Sequence, residues 1–137
     1  MPLRTWTLCC ALSAPLMLSA IGCQPTPIAA TETWQRTELY FGRSTNTGGH
    51  VNDADWDAFV DAEITPRFPA GSTILDAHGQ WADPKGKLVH EDSRVLVLLY
   101  EPSAEIDQKI EAIRQAYVKN FSQDAVMRVD SPARVRF

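Results

Sequence analysis

Asp76, His78 and Gln80 stand at alternate positions of one stretch and are the closest this chain comes to a catalytic pattern. On an extended backbone, side chains two residues apart point the same way, so the three share one side of a strand. A histidine beside a carboxylate is how a general base is oriented. No Ser, Cys or Lys nucleophile is tied to them by a motif. The competing reading is a solvated polar face on an edge strand, which requires no site at all. If the face is instead a pocket, Tyr40, Asp76, His78 and Arg128 are the polar groups predicted to line it.

Arg43, Arg67 and Gln80 are further ligand-binding candidates, at a strand end, a helix exit and a hairpin shoulder. Arg67 has the planar fork that clamps a carboxylate or phosphate. It serves equally well to pair with an acidic neighbour and hold its loop down. The Thr47-Gly48-Gly49 loop lacks both the Lys-Ser/Thr of a P-loop and the dinucleotide glycine spacing. Asp53, Asp55 and Asp57 also crowd the start of the following helix, where an anion would have to bind. His50, His78 and His90 are scattered with no paired ligand spacing, so no metal is predicted. Trp34, Trp56 and Trp81 are read as core rather than as a stacking platform.

The elements that must position these residues are organised around Arg94 to Tyr100, an apolar run with no polar break. A strand covered on one face alternates; this one does not, so it is predicted as the central strand with both faces buried. Before it, Trp34 to Arg43 reads as a strand with Leu39 and Phe41 on one face and Glu38, Tyr40 and Gly42 on the other. Asn52 with Asp55 opens a helix carrying Trp56, Phe59, Val60 and Ile64, stopped by Thr65-Pro66. Gly71 to Trp81 is a second strand, and Asp83-Pro84-Lys85-Gly86 has the residues of a type I turn closing a hairpin. Ser103 to Phe121 is a helix with the stripe Ile106, Ile110, Ile113, Tyr117 and Phe121, and with Glu105 placed to pair with Lys109. Ala125 to Phe137 is a last strand, with Ser131-Pro132 as a place where it would break. The order β-α-β-β-α-β predicts an α+β, ferredoxin-like split βαβ fold: a four-stranded antiparallel sheet with two helices on one face. The opposite, open face is predicted to carry part of Leu96, Leu98 and Tyr100, and a second copy of the chain is the economical cover, giving a homodimer.

A 137-residue chain that is 45% hydrophobic and 22% charged is one globular domain, neither disordered nor a multi-span membrane protein. Thirteen basic against seventeen acidic residues give a formal charge of −4. Such a surface repels a phosphate backbone, so no nucleic-acid partner is expected. The chain begins with Met1-Pro2-Leu3-Arg4 and a largely apolar run from Trp6 to Leu18, too short to span a bilayer comfortably. Ser19-Ala20-Ile21-Gly22-Cys23 then looks like the lipobox of bacterial lipoproteins, with Ala20 where Leu is commoner. That likeness implies a signal peptide over residues 1–22 and a lipid on Cys23; the competing readings are an ordinary secretory peptide cleaved near Ala20 or Gly22 and a plain N-terminal anchor. Residues 23–33, rich in Pro and Thr, read as a tether and residues 34–137 as the domain. Cys9, Cys10 and Cys23 all fall at or before the processing point, so the domain has no disulfide and no thiolate site. Gln24 is not the Asp linked to inner-membrane retention, so the expectation is a lipid-anchored domain facing the periplasm, on the outer membrane if the cell has two.

The segments Glu38-Leu39-Tyr40-Phe41-Gly42-Arg43, Trp56-x-x-Phe59, Thr65-Pro66-Arg67-Phe68-Pro69-x-Gly71 and Gly79-Gln80-Trp81 resemble a family of small exported bacterial proteins. Its members are often lipoproteins, and it is catalogued as a domain of unknown function. The resemblance runs from about Thr37 to Phe137 and implies export and a compact domain. It implies no activity. The expectation is a cell-envelope lipoprotein acting as a binding or interaction module, with no cofactor and an unidentified protein or small-molecule ligand. The alternatives are a small cofactor-free enzyme around Asp76 and His78, and a structural envelope protein.

Overall fold

The computed structural model describes residues 33–82 and 85–136. The leader, Cys23 and all of the tether except Thr33 lie outside the described residues, as do Asp83, Pro84 and Phe137. The first strand, β1 (Thr33–Gly42), leads through a loop to the helix α1 (Asp53–Phe59), which widens into a π-helical stretch over Val60–Ile64. Then come β2 (Thr73–Ala82), β3 (Leu88–Tyr100), the helix α2 (Ala104–Phe121) and β4 (Met127–Arg134). The sheet order is β2-β3-β1-β4 with every neighbouring pair antiparallel, so the fold is the ferredoxin-like one and β3 is central.

Local chemistry sets the element ends. Asn52 caps α1, its Oδ1 accepting from the Asp55 amide at 2.9 Å while its Nδ2 donates to the Asp55 carboxylate at 2.8 Å. Ser103 caps α2, accepting from the Ile106 amide at 3.2 Å, and Ser122 ends it in the left-handed region with φ 51°. Glu105 and Lys109 pair at 2.7 Å on its wet side. The described hairpin residues pair down to Ala82 and Leu88, while the turn predicted at Asp83-Pro84 lies partly outside the described residues. β4 runs unbroken through Ser131 and Pro132, contrary to the predicted break. Its outer edge has no partner strand among the described residues, and there proline's missing N–H costs no ladder bond.

Both helices cover one face of the sheet. Leu39, Phe41, Leu96 and Leu98 meet Trp56, Phe59, Ile110, Ile113 and Tyr117 in a core of essentially buried side chains. The aromatic rings pack edge to face, Phe41 on Tyr117 at 4.8 Å and on Trp56 at 5.2 Å between centroids. Val95, Leu96, Val97 and Leu98 are all buried, as an unbroken apolar run requires, although Leu99 is 45% exposed. One prediction is corrected by the register. Leu39 pairs with Leu96 and Thr37 with Leu98, and directly opposed residues point the same way. Leu96, Leu98 and Tyr100 therefore face the helices, and the open face carries Val95, Val97 and Leu99 instead. A run without alternation gives no phase, so its two faces were indistinguishable before the pairing was known.

Candidate functional site

The polar groups predicted to share a pocket do not share one. Asp76 and His78 do lie on one side of β2, but the register places them on the helix-side face, at the sheet's edge. Tyr40 belongs to the open face, and Arg128 is on β4 at the opposite edge of the sheet. His78 is 84% exposed and its Nδ1 lies 2.6 Å from the Asp92 carboxylate, while Asp76 is paired with Arg94. Gln80 is exposed at the far end of the same strand. This is the solvated polar edge of the competing reading.

The arginines are held by structural partners. Arg43 donates to the Val51 carbonyl at 2.7 Å and to the Asp53 carboxylate at 2.8 Å, tying the end of β1 to the start of α1. Arg94 reaches the same Asp53 oxygen at 2.7 Å, and its own Nε is buried without a partner among the described residues. The Arg43 and then the Arg94 hydrogen bond hold the Asp53 carboxyl below its ordinary value. Arg67 folds back on its own helix exit, donating to the Glu63 carbonyl at 2.7 Å and pairing with the Glu63 carboxylate at 2.8 Å. Arg128 lies among Asp107, Glu111 and Asp130 at 2.7, 2.8 and 3.0 Å. Burial works against its charge, but these bonds prevail and raise its affinity for the proton. Asp130 also accepts from the buried Thr37 hydroxyl at 2.5 Å. That spends the Thr37 proton, so the Tyr100 hydroxyl, 2.6 Å away, is the donor to Thr37.

The three histidines, read as scattered, line one depression with Asp92 and Glu91 at the loop end of the sheet. Strand pairing and the Ser44–His50 bridge bring them there. Among the described residues no three His, Cys, Asp or Glu groups are placed to hold a metal ion.

The open face carries Tyr40, as predicted for a pocket residue, and also Trp81, which the sequence reading placed in the core but which is 45% exposed on an edge strand. Along β1 runs a polar row in which Arg36 donates to Glu38 at 2.8 Å and the Tyr40 hydroxyl donates to Glu38 at 2.5 Å. The Tyr40 and then the Arg36 bond keep the Glu38 carboxyl below its usual value and push the Tyr40 phenol up. Around that row stand Leu75, Trp81, Leu99, Met127 and Val129, five of the six large apolar side chains exposed among the described residues. At the loop end the face sinks into a hollow of about 710 Å³. Its floor is Gly42, Gly79 and Ser93, and its walls include Tyr40, Trp81, Val89 and Met127. Glu91 lies across the floor, accepting from the Ser44 amide at 2.9 Å. Gly42 permits this: a Cβ there would lie 2.7 Å from the Glu91 carboxylate. Gly42 and the Gly79-Gln80-Trp81 segment were visible in the sequence as parts of the family-like motifs; Glu91 carried no signal of its own.

The arrangement of strands and helices is similar to that of a phage SAM lyase solved in complex with S-methyl-5'-thioadenosine. The TM-score is 0.54 at 12% identity, covering 77% of this chain and 92% of that chain. It is similar also to CutA1 from Oryza sativa, with a TM-score of 0.52 at 12% identity, covering 78% and 85%. Likenesses at such identity carry the fold and nothing of the function. No curated protein matches the chain. The sequence profile of the family described as "Protein of unknown function (DUF3574)" matches residues 36–137, all but the first residues of the folded domain, and the chain belongs to that family.

Proposed function

We propose that the chain is an interaction module of the cell envelope, tethered through a lipid on Cys23, and that the open sheet face is its working surface, paired with a second copy of itself. The observation that carries this reading is the gathering of Leu75, Trp81, Leu99, Met127 and Val129 on the one face that no helix covers. Water-facing apolar rows of that extent favour a cover. The face is also self-complementary in charge. Arg36 and Glu38 are neighbours on a central strand, so a two-fold axis between them sets each arginine against the partner copy's carboxylate. Four strands about 4.8 Å apart and eight residues long give a face of roughly 500 Å², so a facing pair covers about 1,000 Å², the lower limit of a stable interface.

A catalytic role around Asp76 and His78 is less well supported, because these groups stand on the opposite side of the sheet from Tyr40 and at the opposite edge from Arg128. The lyase likeness transfers no activity at 12% identity.

Sedimentation of the full chain in nonionic detergent tests the pairing. The wild type should run as a dimer at micromolar concentration, and Leu75→Lys with Leu99→Lys, both at exposed positions, should run as a folded monomer. A monomeric wild type overturns the pairing. Mass spectrometry of the mature N-terminal peptide tests the tether: a diacylglyceryl thioether on Cys23 supports it and a free thiol overturns it.

A further inference from the structure

We propose that the hollow at the loop end of the open face binds a small organic cation, an amine or quaternary ammonium bearing an apolar or aryl group, with the Glu91 carboxylate as counter-ion and the Trp81 ring as wall.

The hollow exists because of side-chain size. Gly42, Gly79 and Ser93 lie on three neighbouring strands, and the glycines' missing side chains leave room for the Glu91 carboxylate to lie over Gly42 and for the Trp81 ring to stand beside Gly79. Tyr40, Trp81, Val89 and Met127 rise around that bed. Trp81 and Met127 also belong to the rows proposed for self-pairing, but a flat partner sheet spans such a hollow rather than filling it, so the site does not require the pairing.

Its charge is of one sign. Glu91 and Asp124 line the hollow, and no Lys or Arg does. Asp124 is engaged by the Asn46 side-chain amide at 2.6 Å. Glu91 is half-buried and accepts the Ser44 amide, and among the described residues no Lys, Arg or His forms an ion pair with it. The nearby Arg43 is turned to the other face, onto Asp53. A carboxylate partly withdrawn from water with free lone pairs attracts a cation more strongly than one on the open surface. Beside it, an indole that is 45% exposed offers a face on which an ammonium group or an aryl ring can lie. An anion would meet two carboxylates and no cationic side chain, only neutral amides and hydroxyls. A ligand with a positive head and an apolar body satisfies both halves of the lining.

Benzyltrimethylammonium is the probe, titrated calorimetrically into the full chain in nonionic detergent, with benzyl alcohol as its neutral counterpart. The cation should bind saturably and the alcohol at least about tenfold more weakly. Glu91→Gln should lose about tenfold in affinity for the cation and little for the alcohol. Trp81→Ala should weaken the cation about fivefold while Trp81→Phe retains most of it. The exposed Trp81 variants decide the matter should Glu91→Gln fail to fold. Equal binding of cation and alcohol, an unchanged Glu91→Gln or Trp81→Ala, or no saturation by about 10 mM overturns the site. The sedimentation result is read separately, so loss of the cation site leaves the self-pairing standing or falling on its own measurement.

Discussion

The phenol of Tyr117 is fully buried in the aromatic core and donates to the Gly42 carbonyl at 2.9 Å. Burial pushes it up to about 12. The neutral phenol is therefore the form the native state prefers, and its contribution is intact below the unfolded value near pH 10. It is lost as the pH rises from there through about 12, a change of about 2–3 kcal/mol in stability. Denaturant titrations at successive alkaline pH values should show that fall in the wild type and a flatter profile in Tyr117→Phe, which itself loses about 1 kcal/mol with the hydrogen bond. Gly42 matters at the same scale for a different reason. Gly42→Ala drives a methyl group into the Glu91 carboxylate, which must leave the Ser44 amide. The flexible end of a side chain gives way, so the expected loss of stability is small, about 1 kcal/mol or less, with weaker binding of the cationic probe. His78→Ala, at an exposed edge, should change stability by no more than about 0.5 kcal/mol and leave probe binding unaltered.

At the scale of elements, the arginines act as fasteners. Arg128 joins β4 to α2 through Asp107 and Glu111, and Arg114 returns the link from α2 to the Val126 carbonyl at 2.8 Å. The three carboxylates around Arg128 are partly exposed, which limits what the cluster is worth. Arg128→Ala should cost about 1–2 kcal/mol in chemical denaturation. The cluster also gives an acid limit. For Glu111 and Asp130, burial favours the neutral form, but hydrogen bonds from Arg114 and Arg128, and from Thr37 and Arg128, outweigh it and hold both carboxyls below their ordinary values. Their contribution is present above the unfolded values and lost as the pH falls through the folded ones, and Arg128→Ala should shallow that acid transition. Helix ends follow simpler rules: Asn52→Ala and Ser103→Ala should each cost about 1 kcal/mol by removing a cap.

For the molecule as a whole, burial is one-sided. The helices seal one face of the sheet so completely that Leu39, Leu96, Leu98, Ile110 and Ile113 have no exposed surface. Leu98→Ala, in the central strand, should cost about 2–5 kcal/mol and lower the thermal midpoint accordingly. The other face is left with apolar rows and the Glu91 hollow.

The element order, the Asn52 cap, the two helical stripes and the central place of β3 were legible in the chain because each rests on local chemistry: an Asn before a periodic run, or an apolar stretch with no polar break. Local chemistry also showed that Asp76 and His78 share a side. Which side that is could not be read, nor what shares it with them. A one-residue change of register exchanges the two faces of a strand, and the sheet order sets β2 and β4 at opposite edges; both are fixed only when strands distant in sequence pair. The same long-range pairing lays Glu91 over Gly42 and turns Leu96 inward and Leu99 outward, so the hollow, and the choice of residues on the apolar face, belong to the tertiary structure alone.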